Sequence, residues 1–188
     1  MTFPCHFLIS WHLARRISPD IKVRRWVGWA GVLADLDGVG LLVDAATRRT
    51  NLYEAWHHFA GHNFFAGFLV AVLAGSFCRS GKAAAWAWVC FHIHMAGDLV
   101  SGRGPDGSSW PIVYGWPLSS HEWQWSGQWQ LNAWPNTAVF LALLAWAVAI
   151  THRAGRSPLE LISARLDAKV IDAFRSVWTS RRTKRVSS

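Results

Sequence analysis

The chain alternates apolar runs with short polar, basic connections, a pattern that predicts packed or lipid-facing helices. The runs are residues 26–46 (WVGWAGVLADLDGVGLLVDAA), 63–77 (NFFAGFLVAVLAGSF), 83–100 (AAAWAWVCFHIHMAGDLV) and 138–150 (AVFLALLAWAVAI). A membrane-spanning helix needs about 20 mostly apolar residues, so each run lies near the short limit, and tilt, Trp anchors or burial in a bundle must make up the difference. The predicted fold class is all-α, a polytopic membrane helical bundle with about four apolar helices. Beyond them, Leu159, Ile162, Leu166, Val170, Ile171, Phe174 and Trp178 recur at helical spacing, which predicts a C-terminal amphipathic helix over residues 158–178 lying on an anionic inner surface. Residues 1–151 then form the membrane-embedded domain and residues 152–188 a basic cytoplasmic tail. A Gly-, Pro- and Trp-rich loop occupies residues 102–134, and no internal repeat is visible.

Charge orients this layout. Arg15, Arg16, Lys22, Arg24 and Arg25 precede the first run, Arg79 and Lys82 separate the second from the third, and the basic tail follows the fourth. Basic connections stay on the cytoplasmic side, so four crossings with both termini inside are expected. The connections around Arg48 and after Val100 then face outward, with Arg48 and Arg49 a mild counter-signal. The formal charge is +8 over 188 residues, but much of it flanks an apolar segment and no nucleic-acid reader motif accompanies it. The expected partner is therefore the lipid bilayer and not nucleic acid. Fourteen tryptophans agree, because the indole ring favours the lipid–water boundary. Cys5, Cys78 and Cys90 form no C-x-x-C pair, which argues against a disulfide scaffold or a thiolate zinc site. The opening MTFPCHFLISWHLARR lacks an early positive charge and a small-residue cleavage site, so it is not read as a secretory signal.

Polar residues interrupt the apolar runs at one level of the predicted bundle. Asp35 and Asp37 lie within the first run, His57, His58 and His62 open the second, and His94 and Asp98 end the third. On a helix, His94 and Asp98 share a face, as do His58 and His62. Asp35 and Asp37 would diverge on a regular helix, and Gly38 and Gly40 offer a break that turns both inward. Ionisable groups at membrane depth pair, bind ions or line functional cavities. Mixed His and Asp donors suit a divalent metal, with a proton relay or structural pairing as the other readings. His6, His92 and His152 are expected as hydrogen-bonded core histidines, and His121 and Glu122 as solvated loop residues.

The order LADLDG, HHFAGHN, HIHMAGD and RGPDGSSWPIVYGWP, over residues 12–136, resembles the bacterial membrane-bound metal-dependent hydrolases of the inner membrane. That resemblance implies metal-ligand roles for His12, Asp35, Asp37, His57, His62, His94 and Asp98. Helical spacing pairs His58 with His62, whereas the family's spacing pairs His57 with His62. It also implies multi-pass placement in the bacterial inner membrane. The implied cofactor is a divalent metal such as zinc, and the implied chemistry is hydrolysis by metal-activated water, with an amphiphilic phosphoester as substrate. Arg103, five residues after Asp98, is expected to grip a phosphate by a bidentate contact, with His58 as its catalytic companion.

Overall fold

The computed structural model describes residues 1–57, 59–104 and 106–186, with the side chains of 54, 55 and 177–186 outside the description. The helices are α1 (Phe3–Ile17), α2 (Ile21–Ala30), α3 (Gly40–Thr47), α4 (Leu52–Trp56), α5 (Phe64–Cys78), α6 (Gly81–Ser101), α7 (Trp134–Ala154) and α8 (Ala164–Val186). Two 3₁₀ turns, Leu33–Val39 and Pro158–Leu161, complete the regular structure. The fold is all-helical, with no named strand among the described residues. Isolated bridges between Arg103 and Gln130 and between Ile112 and Trp123 tie down the connection before α7.

Local chemistry sets the helix boundaries. Asp20, Asn63 and Ser80 begin α2, α5 and α6 by accepting backbone N–H groups of Lys22, Ala66 and Ala83, which satisfies donors that a helix start leaves open. Arg79 in a left-handed conformation (φ 50°) and Gly155 (φ 60°) end α5 and α7, as C-terminal caps require.

α1, α2, α5, α6 and α7 run between two ends of one bundle. At one end, His6 of α1 meets Asp98 near the close of α6, Gly31 after α2 meets His94, and Asn136 at the start of α7 meets Ser101. At the other, Cys78 reaches the carbonyl of Lys22, and Glu160 after α7 meets Arg24. The basic connections gather at this second end, as the charge pattern predicts. α1 begins at the Asp98 end, where His6 and the Met1 amine meet Asp98, and its Trp11 meets Glu160 towards the other.

The first apolar run is not one helix either. α2 stops at Ala30, and the chain turns by 54° into residues 33–47. The break falls at Gly31 and Val32, ahead of Gly38 and Gly40, and position 31 admits no side chain, since a Cβ there would collide with Ser10. The predicted tail helix is also divided: Pro158–Leu161 packs into the bundle with Glu160 and Leu161 buried, and α8 follows. By length and composition α7 can cross a membrane, the bent pair of α2 and residues 33–47 qualifies only if counted as one span, and the apolar α5 is shorter. That is one or two spans by this criterion, against the four expected.

Packing is inverted relative to a water-soluble bundle. α5 buries Gly67, Val70, Ala71 and Ala74 and exposes Phe65, Phe68, Leu69 and Phe77. Small residues let α5 approach Ala83, Ala87 and Phe91 of α6 closely, and a Cβ at Gly67 would lie 2.7 Å from the Phe91 ring. A water-facing helix instead turns a polar stripe outward.

The basic end is held by one buried pair. Arg24 donates to Glu160 at 2.7 Å, with the two side chains 6% and 5% exposed. Trp11 Nε1 adds a bond to the same carboxylate, and Arg25 and Trp29 donate to the Glu160 and Leu161 carbonyls. Breaking such a pair leaves one charge buried alone, whereas replacing both partners by hydrocarbon removes that penalty. Glu160→Ala should therefore destabilise the protein by about 3–5 kcal/mol, and the double variant Arg24→Met with Glu160→Leu should recover most of the loss. Denaturant unfolding in detergent measures both.

Candidate metal centre

Asp35, His62, His94 and Asp98 each turn one ligand atom into a common space, and these atoms all lie within 4.8 Å of one another. His94 and Asp98 come from one face of α6, as their spacing predicts. Asp35 comes from the 3₁₀ turn, which the 54° bend carries back over the bundle end. His62 comes from the connection before α5, not from the helix itself, since α5 begins at Phe64. Gly61 permits that approach: its N–H donates to Asp37 Oδ2 at 3.0 Å, and a Cβ there would strike the Ala34 carbonyl.

The spacing fits a small cation. His62 Nε2 lies 3.1 Å from His94 Nε2 and 3.3 Å from Asp98 Oδ2. His94 Nε2 lies 2.9 Å from Asp98 Oδ2 and 3.5 Å from Asp35 Oδ1, and His62 Nε2 is 3.9 Å from Asp35 Oδ1. A tetrahedral ion with bonds of about 2.0–2.1 Å separates its ligand atoms by about 3.3 Å. The donor chemistry agrees. His94 Nδ1 donates to the Gly31 carbonyl at 2.9 Å, and a carbonyl only accepts, so neutral His94 turns a lone pair inward from Nε2. His62 Nδ1 lies 2.8 Å from Asp37 Oδ2, and donation there turns a second lone pair inward. With both imidazoles neutral, two lone pairs and two carboxylates face one space, a donor set that suits a divalent metal ion.

Groups behind the ligands fix their orientation. Asp37 holds His62 Nδ1, Gly61 N–H and, at 3.0 Å, His57 Nδ1. His6 Nε2 lies 3.0 Å from Asp98 Oδ1, and its ring stacks on His94 at 3.8 Å between centroids. The Met1 amine also pairs with Asp98 Oδ1. Burial pushes the His62 imidazole towards its neutral form, but the carboxylates of Asp37 and Asp98 outweigh it and raise its pKa to about 10. In the absence of metal, a proton on His62 supplies the positive charge.

The cluster is closed on most sides. His62 and His94 side chains are fully buried and Asp98 is 4% exposed, whereas Asp35, at 21%, is the least buried of the four. Asp35 Oδ2 is buried there without a hydrogen-bond partner. Tyr53 of α4 and Trp110 pack against His57 nearby, at 4.4 Å and 5.6 Å between ring centroids.

The structure thus gathers Asp35, His62, His94 and Asp98, and sets Asp37 and His57 directly behind His62. His12 is elsewhere and is a correction to the expected ligand set. It lies six residues along α1 from His6, roughly 9 Å by helical rise, with Nε2 3.1 Å from the Leu143 carbonyl and its ring stacked on Trp146. His6, expected as a core histidine, occupies the place at Asp98. The signal available was that α1 carries two histidines, and only the one near its N-terminus reaches the bundle end. His58 lies outside the described residues. Arg103 sits where residues 103, 129 and 131 pair through their backbones, and its Nε is buried without a hydrogen-bond partner. His92 bonds the Trp88 carbonyl and Tyr114 hydroxyl as a core histidine. His121 and Glu122 are exposed.

Comparison with protein-family models, with curated proteins and with solved structures finds no match for the chain.

Metal analysis of purified variants checks the assignment. His94→Ala and Asp98→Ala should lose bound divalent metal, His12→Ala and His92→Ala should keep it, and His6→Ala should weaken affinity about 10–100-fold as an orienting group. Because metal must displace the His62 proton, uptake should release protons and tighten as pH rises towards about 10. Isothermal titration in buffers of different ionisation enthalpy reads that release.

Proposed function

We propose that this chain is a multi-pass membrane hydrolase of the bacterial inner membrane that uses a divalent metal, zinc by preference, to cleave amphiphilic phosphoesters. The observation that supports this reading is the convergence of two imidazoles and two carboxylates on one space. A structural zinc site is closed by protein ligands, whereas a catalytic one keeps a position for water or substrate, so an exchangeable water on the bound metal is what the hydrolase reading requires. The same ordered residues carry the resemblance to membrane-bound metal-dependent hydrolases.

A divalent ion in this site would supply a Lewis acid and bring water into its nucleophilic form near neutral pH. The protein's own residues supply the rest. Asp37 holds His62 with Nε2 directed inward, the Gly31 carbonyl does the same for His94, and His6 fixes Asp98 with Oδ2 directed inward. Burial of His62, His94 and Asp98 keeps water from these three ligands. The unpartnered Nε of Arg103 suits it to bind an anion by a charge-assisted hydrogen bond.

Placement in a bilayer is supported by the apolar exterior of α5 and α7 and by the basic connections gathered at the end away from the site. Taken together with α1 as a further crossing, this reading has the N-terminus outside and the C-terminus inside. Leu36, Leu41 and Leu42 are 60%, 54% and 69% exposed beside Asp35 in the chain, which favours a substrate with an apolar part.

Purified, metal-loaded protein should hydrolyse lipid phosphoesters faster than soluble ones. Chelation should abolish the activity and added metal restore it. Asp37→Asn should lower metal affinity or turnover about 10–100-fold while sparing packing. A folded, metal-replete protein inactive on lipid phosphoesters, nucleotides and model esters would point to metal handling without catalysis. Reporter fusions at each terminus check the topology, and two reporters active on the same side would overturn it.

A further inference from the structure

The pair of Arg24 and Glu160 is complete in itself, but α1 brings two further cations to the same end of the bundle, Arg15 and Arg16 in its last turn. The Arg15 guanidinium carbon lies 5.8 Å from the ring centres of both Trp11 of α1 and Trp146 of α7, and that of Arg16 lies 5.3 Å from Trp146. A cation within about 6 Å of an indole ring is attracted to its face. Trp146 is itself held in place, because the His12 ring stacks on it at 4.0 Å and His12 Nε2 donates to the Leu143 carbonyl. The two cations are gathered without being neutralised. Among the described residues no carboxylate pairs with either: Glu160 is taken by Arg24 and Trp11 Nε1, Asp167 by the Ser157 N–H and hydroxyl, and Asp20 by the Lys22 N–H. Arg15 Nε is buried without a hydrogen-bond partner, and a buried N–H is costly until an acceptor meets it.

We propose that Arg15, Arg16 and Trp146 form a binding site for the phosphate headgroup of an anionic phospholipid. Arg15 Nε needs an acceptor, and phosphate oxygens accept from guanidinium groups in parallel pairs. Two adjacent cations with no carboxylate between them favour a headgroup of net negative charge over a zwitterionic one. Trp146 is 43% exposed, and α7 is apolar throughout residues 138–150, so the surface beside the arginines is hydrocarbon. A lipid matches both features, its phosphate at the arginines and its chains along α7, whereas a free phosphate leaves that surface bare. The inference rests on the placement of the chain in a bilayer and not on hydrolysis.

Full-length protein, purified in neutral detergent and freed of bound lipid, is titrated in mixed micelles with phosphatidylglycerol and phosphatidylcholine carrying the same fluorescent acyl chain. Phosphatidylglycerol should bind about tenfold tighter or more, the order expected from two basic side chains at headgroup level. Arg15→Gln combined with Arg16→Gln should remove the preference. Arg48→Gln combined with Arg49→Gln takes the same charge from an exposed pair between α3 and α4 and should keep it. Arg16→Gln alone, at an exposed position, should lower the preference without a folding cost, so the test holds even where the double variant misfolds. Excess inorganic phosphate should not displace the lipid. Equal affinity for the two lipids, a preference that survives loss of both Arg15 and Arg16, an equal loss on removing Arg48 and Arg49, or displacement by inorganic phosphate would each overturn the proposal. Alkaline extraction of membranes separates the two readings: protein that stays in the membrane yet binds both lipids equally overturns the lipid site and leaves the bilayer placement standing, whereas release into the soluble fraction overturns both.

Discussion

A carboxylate removed from water must be met by donors or by a cation, and Asp98 is where this fold meets that demand most sharply. Its side chain is 4% exposed, and an unpaired charge so placed is costly. His6 of α1, His62 of the connection before α5, and His94 of α6 itself all converge on it. The ends of three segments are thereby fixed to one residue. Asp35 then enters from the 3₁₀ turn and doubles the negative charge, so histidines alone no longer suffice. A metal ion held here would tie together the 3₁₀ turn that carries Asp35 and the connection that carries His62, as at other sites whose ligands come from separate segments.

The two ends of the bundle handle buried charge differently, and the contrast separates structure from function. Arg24 and Glu160 form a closed pair, with Trp11, Arg24 and Arg25 donating to Glu160. Nothing there asks for a ligand. At the opposite end, Asp35, Asp37 and Asp98 gather with His6, His57, His62 and His94, and Asp35 Oδ2 is buried without a hydrogen-bond partner. Between the ends, small residues let the helices approach closely and large apolar side chains turn outward, which is how helices pack where the solvent is itself hydrocarbon.

Much of this was legible in the sequence. The apolar runs at 63–77, 83–100 and 138–150 lie within or nearly coincide with α5, α6 and α7, because each is long, apolar throughout and bounded by a cap or a glycine. His94 and Asp98 were legible as a unit because helical geometry alone places them on one face. The apolar stretch of α1 is short, carries His6 and His12 and ends in Arg15 and Arg16, so the pattern does not announce it as a helix of the bundle. It is His6, not His12, that reaches Asp98, and it does so behind the ligands. The need for glycine at position 31 was hidden because the Ser10 side chain it meets lies on another helix. The relation of Asp37 to His62 was equally hidden. Whether a carboxylate faces a cation or the far nitrogen of a ligating imidazole depends on a few ångströms that residue spacing does not encode.

Placing the cluster on connections and not on helices alone has a physical consequence. Only His94 and Asp98 stand on a rigid α-helix, while Asp35 and His62 come from a 3₁₀ turn and an irregular loop. Asp44 steadies this half of the site from outside by accepting the N–H groups of Leu52 and Tyr53 and the Thr50 hydroxyl. Tyr53 in turn stacks on His57, and His57 shares the Asp37 carboxylate with His62. A chain of contacts thus runs from the exposed apolar segment at residues 36–43 to the ligand atom His62 Nε2. Leu41 and Leu42 stand on α3, which follows directly on the 3₁₀ turn that carries Asp35, so whatever displaces α3 acts on a ligand of the candidate metal centre.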